Sequence, residues 1–166
     1  MGAGDGVPRQ AVRIGELAVC TLRGTLFTIG LGSCVAVALW DDARCVAGLA
    51  HVMLPTPADA RPGAPHGRFA STAVPALIRL MAEAGAEPAR IRARIAGGAS
   101  MFSRVLTDSG RNLGVRNVAA VTAALEGAWV PLDGQDVGGE HGRSVFLDAA
   151  DGRLRITSVR HPDVNL

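Results

Sequence analysis

Apolar positions along this chain follow two rhythms, and each marks its own kind of element. Thr25 to Leu31 is a short apolar run, partly β-branched, and predicts a strand. It ends in Gly32-Ser33, followed by Cys34. Val35-Ala36-Val37-Ala38-Leu39-Trp40 then alternates large and small residues, a pattern suited to a strand covered on both faces. Asp41-Asp42-Ala43-Arg44 reads as a polar turn, and Cys45 to Leu54 resumes the apolar run, so Val35 to Leu54 predicts a hairpin. Glu16 to Leu22 supplies a further strand ahead of it, and residues 1–10 read as a flexible tail.

Beyond a Pro-, Gly- and Ala-rich loop at 55–67 the rhythm changes. Val74, Leu77, Ile78 and Met81 recur at helical spacing and predict a helix with Ser71 as its cap, Pro75 in its first turn and Gly85 as its stop. Val118, Val121, Thr122 and Leu125 do the same for a second helix over 115–126, stopped by Gly127. Strands are expected at Ile91–Ala96, Trp129–Val137, Arg143–Leu147 and Leu154–Val159, with Asp151-Gly152 turning between the last two. Strands before, between and after two helices define an α+β or layered α/β domain, a single one over 11–166.

Composition narrows the function classes. Of 166 residues, 48% are hydrophobic and 19% charged, enough apolar material for a core. All 17 basic residues are arginine, spread along the chain, and the net charge is +2; no run of them forms a nucleic-acid footprint. No apolar stretch approaches the ~20 residues that span a bilayer, and the first ten residues lack a signal-peptide core, so a cytoplasmic protein without membrane insertion is expected. Cys20, Cys34 and Cys45 are an odd set without a CxxC pair, which points to reduced thiols rather than disulfides or structural zinc.

The chemistry gathers around Cys34. A thiol directly after Gly30-Leu31-Gly32-Ser33 sits on a turn where glycines keep bulk away and backbone N–H groups of Gly32, Ser33 and Cys34 can face an oxyanion. His51 interrupts an apolar strand seventeen positions on. If the hairpin turns about residues 41–44, Cys34 and His51 fall directly opposite each other, about 4.5–5.5 Å apart at Cα, within reach of a thiol–imidazole hydrogen bond. An imidazolium beside a thiol raises its thiolate fraction, and Thr28 can orient the ring by accepting from its other N–H. Cys20 and Cys45 lack such a setting and read as packing residues. Ser33 is a rival nucleophile that would need more than a bare dyad. Gly30-Leu31-Gly32 lacks the third glycine and the helix of a nucleotide loop. His66, His141 and His161 read as solvated polar residues, and the pairs Gly97-Gly98 and Gly138-Gly139 as turns or as walls of a substrate site.

Five segments in order resemble the chemoreceptor glutamine deamidase family, CheD. They are Thr28-x-Gly-Leu-Gly-Ser-Cys34-Val-Ala-Val, Gly48-x-Ala-His51-Val-Met-Leu-Pro55, Ala93 to Phe102, Asn112 to Val118, and Asp136-Val137-Gly138-Gly139 with Gly142-Arg143-Ser144-Val145. The departures are Arg94 where Lys is common and Phe69 where Tyr is common. The resemblance implies a cysteine hydrolase without a cofactor or metal. It would convert glutamines of methyl-accepting chemotaxis receptors to glutamate through a Cys-His-Thr triad, here Cys34, His51 and Thr28, and a thioester. It implies a layered β/α/β sandwich like the catalytic domain of the cytotoxic necrotizing factor toxins, and a CheC-like phosphatase as a further partner. Gly97, Gly98 and Phe102 are the expected substrate contacts. The rival readings are a cysteine peptidase or general amidase using the same dyad, and a non-catalytic module regulating a CheC-type phosphatase.

Overall fold

The structure, a computed structural model, describes residues 7–58, 60–100 and 113–166. In chain order the elements are β1 (Arg9–Ala11), β2 (Leu17–Thr21), β3 (Thr25–Leu31), β4 (Val35–Asp41), β5 (Val46–Val52), α1 (Ala70–Glu83), β6 (Arg92–Gly97), α2 (Leu113–Gly127), β7 (Leu132–Val137), β8 (Arg143–Asp148), β9 (Leu154–Ser158) and β10 (His161–Asn165). Among the described residues the strands form two sheets, ordered β1-β3-β8-β9-β10 and β2-β5-β4-β6-β7.

The alternation in β4 shows how the layers stack. Val35, Val37 and Leu39 point to one side and pack with Val74, Leu77 and Met81 of α1 and Val121 and Leu125 of α2. Ala36 and Ala38 point to the other side, where with Ala47, Leu49 and Ala96 they meet Leu26, Leu31, Val145, Leu147, Leu154 and Ile156 of the first sheet. Small residues on one sheet receive large ones from the other, so the interface fills without voids. The α+β class is as expected. The order of layers is not β/α/β but α/β/β, because both helices cover one face of the β4 sheet and the two sheets bury their other faces against each other. Phe27 and Phe146 stack on the far face of the first sheet, under the guanidinium groups of Arg9 and Arg155.

Several boundaries moved. Arg9 and Gln10 are strand rather than tail, paired parallel with Thr25 and Leu26; three exposed residues carry no periodicity to read. Residues 1–6 of the expected tail lie outside the described residues. β10 likewise shows no alternation, and its pairing with β9 holds it. Ser71 does not cap α1. Ala70 and Ser71 instead donate their N–H groups to the Leu54 and Pro55 carbonyls, at 2.9 and 3.2 Å. Pro75 falls in the second turn on an exposed face, where the Ser71 carbonyl it frees can meet water. Trp129 is a turn residue at φ 58°, so β7 begins only at Leu132.

The hairpin of β4 and β5 corrects the expected register. Asp41 pairs with Val46, and its Oδ1 accepts the N–H groups of Ala43 and Arg44. Cys45 takes φ 49°, completing a four-residue loop at 42–45. The ladder therefore slips by two residues. His51 opposes Ala36, not Cys34, although every side chain keeps its face.

Leu77 is fully buried at the contact of α1 with the sheet. Leu77→Ala should cost about 2–5 kcal/mol of unfolding free energy in a denaturant titration. A change below about 0.5 kcal/mol would show that α1 does not seal this core.

Candidate active site

A bulge in β3 shapes the approach to Cys34. Thr28 pairs with Val145 but Leu31 pairs with Arg143, so β3 carries one extra residue between them. Gly30 takes φ 74°, a value that glycine adopts without strain. Thr28 and Leu31 both turn inward as a result, and the chain crosses from the first sheet to the second through Gly32, Ser33 and Cys34.

That crossing is held by its carbonyls. Gly32 accepts from Ala99 N–H at 2.8 Å, and Cys34 from Gly98 N–H at 2.8 Å. Ser33 accepts from Asn117 Nδ2 at 2.9 Å. Gly97, at φ 115°, lies so close behind that an added Cβ would fall 2.2 Å from the Cys34 oxygen. Gly97 and Gly98 thus back the loop, and the expected substrate contact Phe102 lies outside the described residues. Among the described residues, no backbone hydrogen bond uses the Ser33 or Cys34 N–H as donor, and the Cys34 N–H lies where it favours the thiolate of its own side chain. The expected oxyanion donors are therefore pinned on their carbonyl side.

His51 sits two positions along the ladder from Cys34 on the same face, 2% exposed between the sheets. Its Nδ1 is 2.8 Å from Thr28 Oγ1, a contact that joins β5 of one sheet to β3 of the other. Its Nε2 is buried without a hydrogen-bond partner. The expected thiol–imidazole hydrogen bond is not formed, since the slipped register makes the pair diagonal, a spacing of about 7–8 Å between Cα atoms. Burial pushes the half-buried Cys34 thiol up, opposed by its own backbone N–H. Burial pulls the His51 imidazole down, opposed by the backbone at Val12. Both shifts disfavour charge and favour thiol and neutral imidazole over an ion pair.

Asn117 was not singled out from the sequence as functional. It stands on the stripe Gly114, Asn117, Val121, Leu125 that α2 buries, and a fully buried polar residue on an apolar stripe was the available signal. Its Nδ2 donates to Ser33 O and to Met53 O, both at 2.9 Å. One amide therefore bridges the ends of β4 and β5 just past their last ladder pair, Val35 with Val52. Arg143, 3% exposed, forms two bonds to Asp136, at 3.1 and 3.0 Å, and a third to Gly138 O at 2.8 Å. It fixes the Gly138-Gly139 turn, which in turn bonds Gly97 O and Ser100 N–H. Cys20 and Cys45 stand apart from this cluster. Cys20 is pushed up to about 11 by burial and then by Asp148, an inert packing thiol. Among the described residues no group of acidic, His or Cys side chains could hold a metal ion.

Fold and site together define an α+β protein with an unpaired thiol and, beside it, a buried imidazole held by a threonine. The family model described as CheD chemotactic sensory transduction matches residues 53–158. A probable chemoreceptor glutamine deamidase CheD from Haloarcula marismortui is 42% identical over 158 residues, 95% of this chain and 90% of that protein. The chemoreceptor glutamine deamidase CheD of Thermotoga maritima is 40% identical over 151 residues, 91% of this chain and 92% of its own. A probable one from Geobacillus kaustophilus is 41% identical, covering 89% and 92%. The chain belongs to the CheD family. The matched model begins two residues after His51, but an alignment over 95% of the chain necessarily includes Thr28, Cys34 and His51. A solved structure, the hypothetical protein YfiH of Bacillus licheniformis, overlaps 68% of this chain and 49% of its own at 17% identity and a TM-score of 0.37, too little to inform the fold.

Two outcomes follow from the geometry. Alkylation of Cys34 by iodoacetamide, read by mass in a Cys20→Ser, Cys45→Ser background, should accelerate as pH rises beyond the ordinary thiol range. A rate already maximal near about pH 6 would mean a resting ion pair instead. Asn117→Ala leaves two half-buried carbonyls short of a donor and should cost roughly 1–3 kcal/mol in denaturant unfolding. An unchanged midpoint would show that the bridge carries no load.

Proposed function

We propose that this chain is a protein-glutamine deamidase that converts glutamines of methyl-accepting chemotaxis receptors to glutamate, with Cys34 as nucleophile, His51 as base and Thr28 as the group that orients the ring. Membership of the CheD family and the names of relatives about 40% identical over most of the chain support the activity. The observation that carries the residue roles is His51: Nδ1 is engaged by Thr28 and Nε2 is left free.

The steps follow from those contacts. Thr28 Oγ1 accepts from Nδ1–H, so the lone pair lies on Nε2. A glutamine carboxamide enters and displaces water; the diagonal gap between Cys34 and His51 closes as the reacting groups align. Nε2 takes the thiol proton while Sγ attacks the carboxamide carbon. The oxyanion that forms is held by the N–H groups of Ser33 and Cys34. The imidazolium, stabilised by Thr28, gives its proton to the nitrogen as the C–N bond breaks and ammonia leaves. Water then attacks the thioester, with His51 taking its proton and returning one to the Cys34 sulfur as glutamate is released. No redox step or cofactor enters. Because the resting pair is neutral, the proton moves during attack rather than before it. Protonation of His51 abolishes the base, and its pKa lies below the ordinary histidine range, so turnover should hold through mildly acidic pH and fall only beneath that range.

The likeness to the catalytic domain of the cytotoxic necrotizing factor toxins is retained in this proposal for the placement of Cys34 and His51 only, on the strength of the family resemblance. A CheC-like phosphatase as partner has the same support. The intact thiol, imidazole and threonine favour an enzyme over a purely binding role.

With a purified receptor cytoplasmic domain, the protein should release ammonia and raise the mass of particular glutamine peptides by about one dalton in an uncut chain. Cys34→Ala should abolish both while leaving the circular dichroism spectrum unchanged. Thr28→Val should lower kcat about ten- to a hundredfold, since a hydrogen bond to a charged group contributes ~1.5–3 kcal/mol. Full ammonia release by Cys34→Ala would falsify the assignment, and a cut receptor would favour the peptidase reading.

A further inference from the structure

Ion pairs occupy several arginines of the sheet stack. At the Cys34 end Arg143 pairs with Asp136; at the far end, where β4 finishes and β6 begins, some arginines are matched by acids. Arg90 pairs with Asp41 and Asp42, Arg92 with Asp133, and Arg153 with Asp151. At the Cys34 end, three arginines line one cleft of 650 Å³, Arg61, Arg68 and Arg116; the described residues of its wall include no acid, and Asp59, between Ala58 and Ala60 of that wall, lies outside them. Among the described residues none of the three makes an ion pair, and Arg68 Nε is buried without a partner there. Leaving a guanidinium N–H unsatisfied in a buried place is unfavourable unless a ligand completes it.

The cleft is built into the fold beyond the end of β5. Its floor is Leu54, Pro55 and the buried Phe69. The Met53 and Leu54 N–H groups both bond the Arg68 carbonyl, at 2.9 and 3.0 Å, and Leu54 bridges Phe69, so the Arg68 backbone is fixed. Met53 is the residue whose carbonyl Asn117 ties to Ser33, and Arg116 precedes Asn117 in α2. The cleft thus begins one residue from the bridge that holds the Cys34 loop.

We propose that this cleft docks an acidic peptide segment of the protein substrate, its carboxylates on Arg61, Arg68 and Arg116 and an apolar side chain on the Leu54–Phe69 floor. The proposal rests on the deamidase reading for the identity of the substrate, and it names the feature by which that site selects one: carboxylates flanking the glutamine. Guanidinium forks match carboxylates bidentately. An apolar floor between them suits a peptide with one apolar face better than a free inorganic anion or a nucleic-acid backbone, which offers no such side chain.

The test uses a fluorescein-labelled oligoglutamate peptide, which contains no glutamine and so reports docking whether or not turnover occurs. Anisotropy titration of the full chain should show binding that weakens with salt. Arg61→Gln with Arg116→Gln, both exposed positions, should weaken it about five- to thirtyfold; adding Arg68→Gln should weaken it further. Arg23→Gln with Arg44→Gln, two exposed arginines of the opposite end, should leave it within about twofold. In receptor deamidation, the Arg61/Arg116 variant should raise KM with kcat unchanged. The proposal is overturned by absent binding, by equal weakening in both variants, or by inorganic phosphate or a single-stranded oligonucleotide displacing the peptide more readily than free oligoglutamate. If binding follows the expected pattern but no receptor is deamidated, the docking surface stands and the deamidase reading fails.

Discussion

The 2.8 Å contact between Thr28 Oγ1 and His51 Nδ1 is the one polar link on which the site depends, because it reaches across two stacked sheets. It exists only because those sheets pack closely there. Ala36, Ala38, Ala47 and Ala96 thin one face so that leucines of the other can fill it. A larger residue at Ala36, directly opposite His51 in the ladder, would crowd the imidazole itself. The bulge at Gly30 does the complementary work on the other sheet, keeping Thr28 inward while Leu31 also turns in. Packing geometry therefore selects the ring's orientation, with Nδ1 against Thr28.

The same burial that orders the pair also keeps it neutral. A low-dielectric setting raises the thiol and lowers the imidazole, which would be a poor arrangement for a nucleophile that must be charged before substrate arrives. It suits one whose proton leaves only when an oxyanion is forming beside fixed N–H donors. The loop bearing Cys34 contributes by rigidity: three successive carbonyls are bound, from Gly32 to Cys34, by Ala99, Asn117 and Gly98. Asn117 and the glycines at 97 and 98 hold the place where the ladder of β4 and β5 ends.

Much of this was legible from sequence where periodicity carried it. The strand Thr25–Leu31 and the helical stripes through Leu77 and Leu125 are where the pattern put them. The thiol and imidazole share a face because a hairpin conserves parity. Register was not legible, since it turned on one side chain, Asp41, accepting two N–H groups and moving the turn one residue along the chain, which slips the pairing by two. Layer order was not legible either. A strand apolar on both faces says that it is covered twice but not by what. Asn117 and the unpaired arginines of the cleft become informative only once the fold shows what each can reach.

In the proposed mechanism His51 waits as a neutral base with its proton on Nδ1, held there by Thr28. Nitrogen-15 NMR of the imidazole in the free protein at neutral pH reads this directly, because the two ring nitrogens differ according to which bears the proton. The expected spectrum is that of a neutral ring protonated at Nδ1, with Thr28→Val shifting the ring toward a mixture of tautomers. An imidazolium at neutral pH, or a neutral ring protonated at Nε2, would contradict it.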